Sequence, residues 1–334
     1  MELTGVEARR LRFAAHLLGG SDLTPAEVVA RGVAFQGQDL PAVLRAIAIR
    51  SRPGTTLDDV RAAFDRGEIV RSWPMRGTLF ATTPAHLATI LHHTAERMLR
   101  STARRREQLG LDDATLDRAR RLLTEALRDR ALTRAETLAL WQAHDIPTDA
   151  GRGYHLIFHL AEEGLMHWGP FAGAQQQLVP TPPREAPTDL APIIRGYVLA
   201  RGPLSPDDAA WWLKLPKTAV RAAAARIDDL RVVAVDGRPA WVIGEPEVPA
   251  ASGVTLIPGF DEWILGYADR SLVASPEALE AILPGGNGVF RPSVLVDGVA
   301  VGTWRGGELT ALVGRTNAAT RTAVGRALSA WPHD

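Results

Sequence analysis

The sequence predicts an α+β protein in which one helix-and-hairpin unit recurs three times before a β-rich C-terminal region. Three observations lead there. The chain has 334 residues, about twice the usual domain length, so several domains are expected. Apolar residues make up 46%, enough for packed cores and too many for a disordered chain. The third observation is a repeated helix start: Leu23-Thr24-Pro25-Ala26-Glu27, Leu132-Thr133-Arg134-Ala135-Glu136 and Leu204-Ser205-Pro206-Asp207-Asp208. Each places a hydroxyl residue at an N-cap and an acid three residues later. That spells a capping box in the first two copies and a close variant, with Asp208, in the third. The preceding leucine suits a hydrophobic staple, and Pro25 and Pro206 suit the first helical turn.

The elements follow in order. The first copy opens a helix over 25–34; helices over 38–50 and 57–65 follow, Gly67 ends the second, and 69–73 pairs with 78–82 as a hairpin. A long helical segment, 84–130, breaks near Gly110. The second copy opens a helix over 134–144, followed by one over 153–163 with Gly164 as its stop; Leu156, Ile157 and Leu160 face inward. Strands 165–168 and 177–179 pair around 169–174, and the Pro-rich run 180–187 separates this copy from the next. The third copy is the clearest. Helices cover 193–201 and 206–213, and another begins at Pro216 with the stripe Val220, Ala224, Ile227 and Leu230. Strands 232–235 and 240–243 flank the turn Asp236-Gly237-Arg238-Pro239. Helix, helix, helix and hairpin is the order of a winged helix.

Beyond the linker 244–253, strand-like runs cover 254–257, 294–296 and 299–304, the last two joined by Asp297-Gly298, and 316–331 forms a terminal helix. Gly285-Gly286-Asn287-Gly288 is a flexible loop without the strand–turn–helix context of a phosphate loop. The predicted fold is therefore α+β: three tandem winged-helix units with a C-terminal β-rich domain. Its boundaries are 1–83, a helical linker 84–130, 131–187, 188–246 and 254–334.

Composition removes several kinds of chemistry. There is no cysteine, so disulfides, thiol catalysis and Cys-based zinc sites are excluded. Lys214 and Lys217 are the only lysines, leaving 36 arginines. Neither lysine sits in a P-loop, and neither lies in the apolar pocket a Schiff-base lysine needs. No G-x-S-x-G elbow, H-E-x-x-H or EF-hand loop occurs. No apolar run approaches the roughly 20 residues of a membrane span. Glu2 and Glu7 stand where a signal peptide carries positive charge. A soluble, cytoplasmic protein is expected.

Basic and acidic residues balance at 38 each, but unevenly along the chain. Residues 1–130 hold 21 arginines against 16 acids, a net of +5, and the remainder carries −5. Winged helices usually bind duplex DNA, although many are protein-interaction modules, and arginine suits bidentate phosphate contacts. The cluster Arg97, Arg100, Arg104, Arg105 and Arg106 either tracks phosphates or forms a solvated face. Lys217 and Arg221, four apart, are recognition-helix contacts or likewise a solvated face. His155, His159 and Glu162 share one helical face; with no fourth ligand in view, they read as exposed polar residues or phosphate contacts, and no metal is expected.

In the first unit, Phe35-Gln36-Gly37-Gln38-Asp39-Leu40 precedes Ser72-Trp73-Pro74-Met75-Arg76-Gly77-Thr78-Leu79. Here the sequence resembles the AlkZ-like winged-helix DNA glycosylases, bacterial enzymes with three tandem winged helices, a glutamine-aliphatic-glutamine motif and a Trp-x-Met-Arg-Gly-Thr-Leu wing. Further matches are Pro258-Gly259-Phe260-Asp261 with Leu265-Gly266-Tyr267-Ala268-Asp269-Arg270, and Phe290-Arg291-Pro292 with Val296-Asp297-Gly298 and Gly302-Thr303-Trp304-Arg305. The likeness spans almost the whole chain. It implies removal of N7-alkylated purines, bulky adducts and interstrand crosslinks included, with Gln36 and Gln38 as the catalytic pair.

The chemistry of that pair is intelligible. An N7-alkylpurine is cationic and already a good leaving group, so what remains is to place a water beneath C1′ and stabilise oxocarbenium-like charge. A side-chain amide oxygen can accept from that water and orient it. The lack of a suitably placed lysine favours a monofunctional hydrolase over a lyase. One position departs from the family pattern: Gly37 replaces the aliphatic residue, which removes a packing anchor and loosens the backbone beside Gln38. Asp39 is a neighbouring carboxylate whose roles are base, helix cap or solvated group. Arg76 is a phosphate contact or an ion pair stabilising the wing. The expected partner is double-stranded DNA containing alkylated bases, engaged by a monomer without cofactor, metal or membrane. The alternatives are a non-enzymatic winged-helix regulator and a family member inactivated by Gly37; a tandem array in one chain makes a palindrome-reading homodimer less necessary.

Overall fold

The computed structural model describes residues 1–182, 189–314 and 316–332, so most of the proline-rich separator expected at 180–187 lies outside the described residues. Helices and antiparallel sheets both occur throughout, as the α+β expectation requires. The chain divides into two compact units, one of Met1–Val60 with Ala191–Asp334 and one of Arg61–Leu190.

All three repeated helix starts form reciprocal capping boxes. Thr24 and Glu27 open Pro25–Gly32, Thr133 and Glu136 open Arg134–Gln142, and Ser205 and Asp208 open Pro206–Leu213. Asp208, one methylene shorter than glutamate, still closes the box with 2.9 Å and 2.8 Å contacts to the Ser205 amide and hydroxyl. Leu3-Thr4-Gly5-Val6-Glu7 carries the same spelling and caps Gly5–Ala15 in the same way, a fourth copy of the helix start. The leucine before the cap also does more than staple. Leu132 pairs with Leu178, Leu204 bridges Trp241, and Leu3 joins Val235 in a parallel pair. Two-residue strands have no periodicity, so the sequence gives no sign of them.

In the unit Met1–Val60 with Ala191–Asp334, helices Ala191–Arg201, Pro206–Leu213 and Lys217–Ala224 lead to a hairpin of Leu230–Val235 and Arg238–Ile243. Its turn residues, Asp236 and Gly237, have φ of 47° and 76°, the left-handed pair of a type I′ turn. The helix from Lys217 closes at Ala224, so Ile227 and Leu230 fall outside it, unlike the stripe expected from spacing. Asp228 and Asp229 follow, residues whose short carboxylates compete with helical backbone bonding, and Asp229 is taken by Arg195 at 2.6 Å.

The C-terminal strands Val254–Ile257, Ser293–Val296, Val299–Arg305 and Glu308–Leu312 form an antiparallel meander in chain order; the last strand was not expected. Both faces of its first three strands carry buried residues. Ile257, Leu295 and Ala300 pack with Phe13, Trp263 and Val273, while Leu256, Val294 and Trp304 pack with Val324 and Leu328 of the terminal helix Ala318–Ser329. Alternate residues thus serve opposite cores.

In the unit Arg61–Leu190, strands Thr78–Thr82, Val70–Met75, Met166–Ala172, Gln175–Pro180 and Leu132–Thr133 lie side by side in that order. The hairpin expected as the first unit's wing shares this sheet with the second hairpin, through Arg71 opposite Trp168. Pairing the two hairpins edge to edge removes an exposed strand edge from each. The long helical segment is Pro84–Ser101, Ala103–Gln108 and Asp113–Asp129, with the expected break at Gly110 (φ 66°) and another at Thr102. Leu123, Trp141, Leu156, Leu160 and Met166 centre the core. Among the described residues no helix is long and apolar enough to cross a membrane.

Candidate active site

The glutamine motif lies in a turn between a strand and a helix. Helix Pro25–Gly32 ends at Val33, whose φ is 67°, and the chain then extends as Ala34–Gln36. Gly37 and Gln38 lead to Asp39, the N-cap of helix Leu40–Ala48; its Oδ1 accepts from the Ala42 N–H at 2.9 Å. The helix expected from residue 38 therefore starts two residues later, and the two glutamines are not on a helix face. Gln36 is buried, Gly37 is buried, and Gln38 is exposed. Asp39 has its carboxylate engaged in capping, which is the helix-cap role among those open to it.

Beneath this turn lie two buried ion pairs. Glu262 Oε1 accepts from the Gln36 backbone N–H at 3.0 Å. Its other oxygen accepts from Arg201 Nη2 at 2.9 Å, Arg201 Nε at 3.2 Å and Trp212 Nε1 at 3.1 Å. Arg201 also donates to the carbonyls of Gly32 at 2.9 Å and Ala34 at 2.8 Å. Its guanidinium lies 4.6 Å from the Trp212 ring centre and 5.1 Å from that of Tyr197. The second pair is Arg50 with Asp261, bidentate at 2.7 and 2.9 Å. Arg50 donates further to the carbonyls of Ala46 and His16. All four charged side chains are at most 1% exposed. Charges this deep are tolerated only when paired and hydrogen-bonded throughout, and here almost every polar atom has a partner. His16, next to both arginines, is kept neutral: burial first, then Arg50, Arg201, Arg12 and Arg31, hold its pKa well below the usual range. Its Nε2 meets the Tyr267 hydroxyl at 2.8 Å, and that hydroxyl donates to the Arg201 carbonyl.

The adjacent Asp261 and Glu262 reach opposite flanks of the glutamine turn. Glu262 with Arg201 holds the strand that enters it; Asp261 with Arg50 holds the helix that leaves it. Asp261 also caps its own short helix, Glu262–Leu265, through the Trp263 N–H. Gly266 gives Arg201 room: a Cβ there would lie 2.5 Å from the Glu262 carbonyl and 3.1 Å from Arg201 Nε. None of Arg50, Arg201, Trp212, Asp261 and Glu262 was expected as a site residue. Their signal was two consecutive acids inside the apolar run Phe260-Asp261-Glu262-Trp263-Ile264-Leu265, where only paired acids are stable.

The other expected residues lie elsewhere. In the unit Arg61–Leu190, Arg76 is a turn residue of the hairpin Val70–Met75 with Thr78–Thr82, with φ 58°, half-buried and 5.3 Å over the Phe80 ring. In the other unit, Lys217 opens its helix and pairs with Asp207 at 2.7 Å, both exposed; Arg221 is exposed one turn later. Contrary to the exposed face expected of them, His159 and Glu162 are buried and His155 is half-buried, because this side of helix Arg152–Glu162 packs inward with Leu156 and Leu160, and the three do not converge as a ligand set. His159 Nε2 takes Glu163 Oε1 at 3.1 Å, while burial pushes the Glu162 carboxyl up to about 8. Among the described residues no group of three or more His, Asp or Glu could hold a metal. In the arginine cluster, Arg100 pairs with Glu96 at 3.2 Å and Arg106 donates to Leu99 and Thr102. After burial, Arg105 and Arg106 are what lower the His155 pKa.

Residues 29–331 match a family model described as DNA glycosylase AlkZ-like. An interstrand DNA cross-link repair glycosylase of Streptomyces sahachiroi is 27% identical over 265 residues, which is 71% of this chain and 70% of that protein. The structure of the Streptomyces sahachiroi DNA glycosylase AlkZ superposes with a TM-score of 0.82 at 21% identity, covering 100% of this chain and 99% of that one. With the match extending across both units, the chain belongs to the AlkZ-like DNA glycosylase family and is a DNA-binding repair enzyme.

Proposed function

We propose that this enzyme hydrolyses the N-glycosidic bond of N7-alkylated purines in duplex DNA, interstrand crosslinks included, with Gln36 and Gln38 setting the attacking water. The observation that carries this reading is the glutamine turn itself, one exposed amide on a segment fixed by two buried ion pairs. A water oriented by a fixed amide oxygen needs little reorganisation before attack on C1′. Gln38, exposed, is the residue that meets the water; Gln36, buried, borders it from the strand. The crosslink substrate takes its support from the name of the Streptomyces sahachiroi relative. The cationic leaving base needs little acid catalysis, which fits a site whose nearest carboxylates are committed to Arg50, Arg201 and a helix cap.

Water as nucleophile is supported by the state of the lysines. Lys217 is exposed and paired with Asp207, and Lys214 is exposed at a helix C-cap in left-handed conformation. Neither is in the apolar setting that lowers an amine pKa for imine chemistry. Helix, helix, helix and hairpin at 191–243, with the three capping boxes, supports reading the chain as tandem winged helices over 1–83, 131–187 and 188–246. Arg76, Lys217 and Arg221 are then proposed as DNA contacts.

The test is incubation with duplex containing N7-methylguanine, scoring alkali-labile abasic sites, alongside a duplex carrying an N7–N7 interstrand crosslink. Abasic sites from the wild type, with loss in Gln36→Ala and Gln38→Ala that remain folded, is the expected result. No product from either substrate would sink the proposal.

A further inference from the structure

We infer that Glu262, acting with Arg201, is a positioning residue for the glutamine turn, and this rests on the reading of Gln36 and Gln38 as the catalytic pair. Between Gly32 and Gln36 the backbone presents two carbonyls and one N–H to this ion pair: Gly32 O and Ala34 O receive from Arg201, and Gln36 N–H donates to Glu262. Those three bonds fix the strand that enters the turn, at its last residue before Gly37. Gly37 has no side chain to pack, so the rigidity that an aliphatic residue would supply from within the motif comes here from beneath it.

The carboxylate is required, not merely a polar side chain. Glu262 accepts on both oxygens, one from Gln36 and the other from three N–H groups of Arg201 and Trp212. An amide of the same size has a single acceptor oxygen. Turned toward Arg201 and Trp212, it leaves its NH2 facing the Gln36 N–H, donor against donor. The bond to Gln36 is the one of the four that Glu262→Gln loses. Glu262 touches no reacting atom; it acts through the placement of the glutamines, where a displacement of about 1 Å is worth on the order of 100-fold in rate.

The experiment measures single-turnover release of N7-methylguanine from duplex DNA as a function of enzyme concentration, so that rate and half-saturation separate. Glu262→Gln is expected to lose at least tenfold in maximal rate, with half-saturation within threefold of wild type. Hydrogen–deuterium exchange of the peptide spanning Gln36 should quicken in the same variant. The double variant Glu262→Leu with Arg201→Met removes both charges together, leaves no buried charge alone, and should lose at least as much. Leu328→Ala, a core truncation at the terminal helix, supplies a variant of lowered melting temperature whose rate should stay at the wild-type value.

Glu262→Gln that is folded, exchanges at Gln36 as slowly as wild type and releases base at the wild-type rate overturns the inference, whether or not the double variant folds. A Leu328→Ala rate that falls as far as that of Glu262→Gln also overturns it, since general destabilisation would then suffice. Gln38→Ala at the wild-type rate instead sinks the underlying reading of the site, so the two failures are distinguishable.

Discussion

Replacing Arg50 with methionine keeps the aliphatic stem and removes the guanidinium. The lost bonds are the bidentate pair to Asp261 and single bonds to the Ala46 and His16 carbonyls. Asp261, whose side chain is fully buried, keeps only its cap on the Trp263 N–H. An uncompensated buried charge of this kind costs about 3–5 kcal/mol. For a unit of roughly 200 residues, at about 3 °C per kcal/mol, the melting temperature should fall by roughly 10–15 °C. Scanning calorimetry gives the number directly. The double variant Arg50→Met with Asp261→Leu, which removes the pair as a whole, should recover most of the loss because two apolar groups of similar volume replace two charges. A fall under about 3 °C for Arg50→Met would refute the reasoning, as would a double variant no more stable than the single.

Other outcomes follow from the same physics. Glu162 is neutral in the folded state until about pH 8 and charged in the unfolded state above about 4.5; the unfolded state thus binds fewer protons across that range, and stability falls as pH rises. From about pH 5.5 to 7 the slope should be roughly 1.4 kcal/mol per pH unit, falling to about half of that near pH 8, and denaturant titrations of Glu162→Gln should show it removed. Ser205→Ala, which opens a capping box on a buried acid, should cost about 1 kcal/mol by the same titration. Arg76→Ala should weaken binding to duplex DNA of any sequence, and the slope of log K against log salt should drop by about 0.9 if the guanidinium meets one phosphate; an unchanged slope would remove Arg76 from the interface.

Much of the fold was legible in the sequence because it was spelled locally. Hydroxyl-x-x-acid marked helix starts, Asp236-Gly237 and Asp297-Gly298 marked the connections between strands, and Leu156, Ile157 and Leu160 marked a buried face. What escaped was set by partners far along the chain. The two-residue strands Glu2–Leu3 and Leu132–Thr133 exist only through their hairpins, and the hairpin at 70–82 found its neighbour near residue 168. The glutamine motif was found from its resemblance, but its support was not. Glu262 reaches Gln36 across 226 positions, and Asp261 reaches Arg50 across 211. Nothing periodic links residues so far apart, although two acids in an apolar run already required cations from somewhere.

Water held by a fixed pair of glutamines is the proposed nucleophile. Single-turnover release of N7-methylguanine by wild type, Gln36→Ala and Gln38→Ala, each run with and without borohydride, tests it most directly. The expected result is alkali-labile sites from the wild type, a loss on the order of 100-fold or more in the Gln38 variant, a marked loss in the Gln36 variant, and no covalent enzyme–DNA adduct trapped by borohydride. Wild-type rates in both variants, or a trapped adduct through Lys214 or Lys217, would contradict it.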